Sequence, residues 1–193
     1  MNLKIIIIFS LLLLIRYIIK DKRKENKNKR LFYSSNEIPQ LKILDKNWRI
    51  IAQECNKLTL LHMKNLYHNK EIFNYDIILD EKLVLDSINL CPITINILKS
   101  IPNILYAGYS ILKSNSEIYK LSLRNTITYH LGLNISTQDP SYVNIHNLKM
   151  SDKTGKSFMF DSTYNYSEIN TSVFDNARLV IIFKKSNMIS YIQ

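Results

Sequence analysis

His130 sits in the stretch YHLGLN (129–134), two residues before Gly132, one of only three glycines in the 193-residue chain. Glycine inside an apolar run marks a bend, a bulge or a close approach of backbone. An imidazole beside it can ligate a metal, contact a cofactor, or pack in a core with its nitrogens bonded to backbone. Other residues for such chemistry are sparse: His62, His68 and His146, with Cys55 and Cys91. No Cys-x-x-Cys or Cys/His grouping has zinc spacing, and the two cysteines allow at most one intramolecular disulfide. A phosphate-binding loop, a dinucleotide fingerprint, a Gly-x-Ser-x-Gly elbow and a His-Glu-x-x-His motif are all missing from the sequence. Arg178, in NARLVIIF (176–183), is the other candidate. Pointing inward with Val180 and Ile182, its guanidinium requires an anion or several acceptors. Pointing outward from an edge strand, it is merely solvated.

The elements that must position these residues change character along the chain. Asp45 to Lys57 reads as a helix, with Asp or Asn available as N-cap and Trp48, Ile50 and Ile51 on an apolar side. A second helix is expected near Ile93 to Lys99, with Pro92 at its start and Pro102 beyond its end. From Ile104 to Phe183 short apolar and aromatic runs recur (ILYAGYSIL, TITYHLGLNI, YVNIHNL, SFMFD, ARLVIIF), separated by polar turns such as KSNSE, STQDPS and SDKTGKS. That spacing predicts an antiparallel sandwich or barrel capped by the N-terminal helices.

The net charge of +10 is local. Residues 1–30 hold nine of the 26 basic residues and two of the 16 acids, which leaves 17 against 14 and a net +3 for the rest. A nucleic-acid partner is therefore not expected. Leu3 to Ile19 would make a helix of roughly 25 Å, just under a typical ~30 Å hydrocarbon core. An uncleaved single-pass anchor (1–19) fits better than a cleaved signal, because RYIIKDKRKE lacks a small-x-small cleavage site. A buried helix is the remaining reading. Residues 20–38 read as a basic linker, 39–185 as the folded domain and 186–193 as a tail. Seven basic residues between Lys20 and Arg30 place the domain on the cytoplasmic side by the positive-inside rule, and also suit anionic lipid headgroups. Three N-x-S/T sequons begin at Asn134, Asn165 and Asn170.

In order, NWRIIAQE (47–54), CPITINILKSIPN (91–103), AGYSIL (107–112), YHLGLNI (129–135), TGKSFMFD (154–161) and NARLVIIF (176–183) resemble the aspartyl/asparaginyl β-hydroxylase family of iron- and 2-oxoglutarate-dependent dioxygenases. All three glycines fall inside these pieces. The resemblance implies a fold that is mostly β with N-terminal helices: a double-stranded β-helix, or jelly roll, behind one membrane anchor. It also implies two iron-ligating histidines, but the matching positions fall near Leu121, or a neighbour, and at Tyr166. His146 is the first suspect for a relocated ligand, and Asp161 offers a single carboxylate. The co-substrate pocket is better kept. Ser110 and Arg178 match the pair that holds one carboxylate of 2-oxoglutarate, and His130 matches the contact to the other, with Thr128 where the family has a second arginine.

Three functional readings follow. One is a membrane-anchored, non-catalytic relative with no iron(II), weak 2-oxoglutarate or dicarboxylate binding through Ser110, His130 and Arg178, and a protein or peptide as candidate partner. Another is an active peptidyl-Asp/Asn dioxygenase with relocated ligands. The third discards the resemblance and leaves a membrane-tethered interaction protein.

Overall fold

The computed structural model describes residues 30–58 and 71–187. The expected anchor, most of the basic linker, His62, His68 and the last six residues lie outside them. No helix among the described residues is long and apolar enough to cross a membrane. The chain divides into units 1–31 and 32–193, and the architecture below is that of the second.

Two antiparallel sheets face each other. The larger runs β1 (Phe32–Tyr33), β9 (Ser157–Asp161), β6 (Thr126–Asn134), β11 (Asn176–Lys184), β4 (Ile104–Leu112), β2 (Ile72–Leu79) and β3 (Lys82–Leu83). The smaller runs β5 (Ser116–Lys120), β10 (Tyr166–Asn170), β7 (Tyr142–Ile145) and β8 (Leu148–Ser151). This is the expected jelly roll. The two-residue side-chain period gives each long strand two distinct faces. On one face Ala177, Leu179, Ile181 and Phe183 of β11, Ala107 and Tyr109 of β4, and Ile127, Tyr129 and Leu131 of β6 form the main apolar core. Four short helices cover that face: α1 (Lys42–Lys46), α2 (Trp48–Lys57), α3 (Ser87–Leu90) and α4 (Pro92–Leu98). They contribute Leu44, Ile51, Cys55, Ile95 and Leu98, and Cys91 joins them from the junction of α3 and α4. Both cysteines are free, and burial pushes each thiol up to about 12.

Buried polar groups pin the helices to the sheet. Glu54 on α2 accepts from the backbone N–H of Ile93 and Thr94 at 2.8 Å each, satisfying orphan donors at the start of α4. The Thr94 hydroxyl bonds both Glu54 (2.6 Å) and the Tyr109 phenol of β4 (2.7 Å). Asp45 on α1 accepts from the Tyr129 phenol at 2.9 Å and from Ser157 of β9.

The structure departs from the sequence reading in three places. The single helix expected over 45–57 is two, meeting at Asn47, whose side-chain amide donates back to the Ile43 carbonyl at 2.7 Å. Strands begin before Pro102, because β2 inserts beside β4 and pairs with it from Ile72 to Leu79. Of the three sequons, Asn170 is buried. Its amide donates to the carbonyls of Leu112, Lys113 and Phe174, so the folded domain offers no glycan acceptor there.

Gly132 needs its missing side chain. A Cβ there would lie 2.3 Å from the carbonyl oxygen of Lys153, where the β8–β9 connection crosses β6, the Gly155 N–H donates to the Gly132 carbonyl and the Gly132 N–H donates to the Lys156 carbonyl. The close approach inferred from YHLGLN is real, and it lies one turn of the pleat from His130.

Candidate functional site

The opposite face of the large sheet looks into the space between the sheets, and its chemistry is polar. In the register, Arg178 pairs with Ser110 on β4 and with Gly132 on β6, while Val180 pairs with His130. Ser110, His130 and Arg178 therefore share the interior face of three adjacent strands, each no more than 1% exposed. Arg178 points inward, as one of the two sequence readings required.

Its anion comes from the chain itself. Nη1 of Arg178 donates to Oδ2 of Asp152 at 3.0 Å, and Nη2 donates to Oε2 of Glu168 at 2.5 Å. The other Glu168 oxygen lies 2.8 Å from Nζ of Lys120 on β5. Ser141 donates to Asp152 at 2.7 Å. His130 closes the cluster: its Nδ1 lies 3.4 Å from Nη1 of Arg178 and 3.5 Å from Oδ1 of Asp152, and Nε2 lies 4.0 Å from Oε1 of Glu168. Phe158 and Phe160 hold the imidazole, with ring centroids 5.5 and 5.1 Å away.

Protonation follows from this packing. Burial raises the Glu168 carboxyl, but Arg178 and Lys120 outweigh it and bring its pKa down to about 2. The same contest ends with Asp152 lowered, where burial opposes and Arg178 and His130 prevail. Burial, aided by Arg178, lowers His130 below its ordinary value and keeps the ring neutral at pH 7. Burial works against the Arg178 charge, yet Glu168 and Asp152 raise its pKa. Two cations and two anions thus balance inside the barrel.

The positions that the resemblance assigns to iron ligands do converge. Tyr166 pairs directly with Lys120 across β10 and β5, next to Leu121. Tyr166 is buried, whereas Leu121 is 72% exposed. An iron(II) site needs imidazole or carboxylate donors with open positions, and these residues offer an ammonium, an isobutyl group and a phenol. His130, Asp152 and Glu168 approach one another, but the guanidinium of Arg178 occupies the space between the two carboxylates. Among the described residues no group of three or more His, Cys, Asp or Glu is disposed to hold a metal ion. Nor do the relocated candidates serve. His146 lies exposed in the β7–β8 turn at φ 49°, its ring against Tyr164. Asp161 is taken by Lys185 and Thr163. The described residues at these positions do not fit iron(II), and both terminal nitrogens of Arg178 are taken by Asp152 and Glu168.

Asp152, Glu168 and Lys120 were not singled out in the sequence. Asp152 lies in SDKTGKS, which reads as a turn, and Glu168 lies in YSEIN, which has no apolar alternation. A period-two reading that allowed inward polar groups would have put Tyr166, Glu168 and Asn170 on one face.

A cavity of about 480 Å³ opens beside this cluster, lined by Ser110, Tyr106, Lys120, Leu121, Tyr166 and Val180 among others. Of the three expected co-substrate contacts, only Ser110 reaches it, and its hydroxyl has no hydrogen-bond partner.

The fold has counterparts among solved oxygenases. A prolyl-4-hydroxylase from Pseudomonas putida superposes with a TM-score of 0.51 at 12% identity, covering 72% of this chain and 87% of that one. A 2OG-Fe(II) oxygenase family oxidoreductase from Burkholderia pseudomallei gives 0.51 at 10% identity, covering 78% and 89%. No curated protein matches the chain. The sequence profile described as aspartyl/asparaginyl beta-hydroxylase matches residues 45–186. With the strand order, the inward Ser110–His130–Arg178 face and that match in agreement, the chain belongs to the aspartyl/asparaginyl β-hydroxylase family.

Proposed function

We propose that this chain is a non-catalytic member of its family, a jelly roll that binds rather than hydroxylates. One observation carries the reading: Glu168 is held between Lys120 and Arg178, at the place where the family's chemistry calls for a metal and a co-substrate acid. Two internal cations, Lys120 and Arg178, pair with two internal carboxylates, Glu168 and Asp152. Bringing in a dication would set it against two fixed positive charges in a low-dielectric interior. Bringing in a dicarboxylate would leave surplus buried negative charge. Residues 1–19 tether the domain to a membrane, with the basic flank on the cytoplasmic side, a reading supported by the apolar run and the seven basic residues after it.

Anaerobic iron(II) titration and a 2-oxoglutarate turnover assay test the catalytic half. The expected outcome is no stoichiometric iron binding and no succinate. Iron-dependent succinate formation by the unmodified chain overturns it. Glycan occupancy at the exposed sequons Asn134 or Asn165 would overturn the cytoplasmic placement.

A further inference from the structure

Once the charges between the sheets are balanced internally, the adjoining cavity has a different chemical character from an acid-binding pocket. Its walls are mainly phenols and aliphatic side chains, Tyr106, Tyr119 and Tyr166 with Leu121, Val180 and Ile182, and the Asn74 amide joins them. Lys120 also lines it, but its ammonium is paired with Glu168 at 2.8 Å. A further acid, Asp76, is 9% exposed on the same face of β2 and accepts from the Tyr106 phenol at 3.2 Å. An anion entering here would meet carboxylates and no uncompensated cation.

Two uncharged polar side chains of the lining, Asn74 and Ser110, face a ligand. The Ser110 side chain is 1% exposed, lines the cavity, and its Oγ has no hydrogen-bond partner. A buried hydroxyl with neither protein partner nor bulk water is costly unless something bonds it. The volume falls within the range of small-molecule sites, which pair apolar walls with a few placed polar groups. Leu121 stands 72% exposed at this site, a candidate to close over an occupant.

We propose that this cavity binds a neutral aromatic molecule carrying one hydroxyl or amide group. The ring packs among Tyr106, Tyr166 and Val180, and the polar group bonds Ser110 Oγ. The site is a descendant of an acid-binding pocket that has exchanged a charged ligand for an uncharged one. The proposal rests on the non-catalytic reading, since that reading supplies the internal charge balance.

Benzamide and benzoate differ in charge and hardly in shape, so they separate the two characters directly. The full, isotopically labelled chain is titrated by NMR with each, and with 2-oxoglutarate. Benzamide is expected to shift the amides of Ser110, Tyr166 and Val180 with Kd of about 1 mM, as befits so small a ligand. Benzoate binds at least about tenfold more weakly, and 2-oxoglutarate leaves these amides unmoved. Ser110→Ala weakens benzamide about fivefold, the loss of one neutral hydrogen bond. Leu121→Glu, at an exposed position that spares the fold, weakens it further. Benzoate or 2-oxoglutarate binding as tightly as benzamide would overturn the proposal, as would no shift with any of the three. The second result leaves the non-catalytic reading standing, whereas succinate formation removes both.

Discussion

Lys120 and Arg178 hold the two ends of one carboxylate. Nζ of Lys120 lies 2.8 Å from Oε1 of Glu168, while Nη2 of Arg178 binds Oε2. The three residues come from β5, β10 and β11, so a single carboxylate links the small sheet to the large one through charge. An ion cluster of this kind need not add net stability over an apolar equivalent. Breaking it, however, strands a buried charge.

Removing one member should therefore cost far more than a surface pair would. Glu168→Gln or Arg178→Met is expected to lower unfolding free energy by about 3–5 kcal/mol in urea denaturation. The double variant Glu168→Gln/Arg178→Met should recover part of that loss, because neither charge is then left alone. Additive losses in the double variant would show that the two side chains are not coupled.

Acid should weaken the domain in two stages. Burial and Arg178 depress the folded pKa of His130 below its ordinary 6.5, so the unfolded chain takes up that proton first, and stability starts to decline below about pH 6.5. Glu168 has a folded pKa of about 2 against 4.5 in an unperturbed chain. Its contribution is complete above about pH 4.5 and is lost as pH falls toward 2, a loss on the order of 3 kcal/mol. Thermal melting followed by circular dichroism from pH 8 to about pH 2 reads both stages. In His130→Phe the first stage should disappear while the second remains.

Restoring a metal site requires more than restoring histidines. The β5–β10 register puts Lys120, not Leu121, opposite Tyr166. Lys120→His/Tyr166→His should bind cobalt(II) with a visible absorption band, since it exchanges the competing ammonium for an imidazole next to Glu168. Leu121→His/Tyr166→His keeps Lys120 in place and should bind at least about tenfold more weakly, as expected where a fixed positive charge faces the metal. Equal cobalt affinity in the two variants would refute this placement of the ligand positions.

Gly132→Ala tests the crossing of the β8–β9 connection over β6. The added Cβ would meet backbone rather than a movable side-chain end, 2.3 Å from the Lys153 oxygen and 2.8 Å from its carbonyl carbon. A loss of about 2 kcal/mol or more is expected in urea denaturation. Ordinary stability in this variant would mean that the connection yields easily.

The sequence showed strands wherever apolar or β-branched residues dominate a strand and a polar residue interrupts them only once. TITYHLGLN and NARLVIIFK declare themselves because eight and seven of their nine residues are buried. β10 hid because its inward positions are Tyr166, Glu168 and Asn170, and β2 because Asn74 and Asp76 interrupt its apolar run. The site divided in the same way. Ser110, His130 and Arg178 could be placed on one interior face through the family resemblance. Their partners Asp152, Glu168 and Lys120 could not, because local polarity reads as a turn or solvated edge until the opposing sheet is known.

β11 runs through the middle of the large sheet with one side wholly apolar and, on the other, Arg178 followed by Val180 and Ile182. Nothing about that strand can be lengthened or shortened by one residue. A one-residue slip of its register would turn Arg178 toward the helix-covered apolar face and Leu179 toward Asp152 and Glu168. A substitution on this strand changes the identity of one inward residue and leaves its neighbours facing as before. It does not change their count.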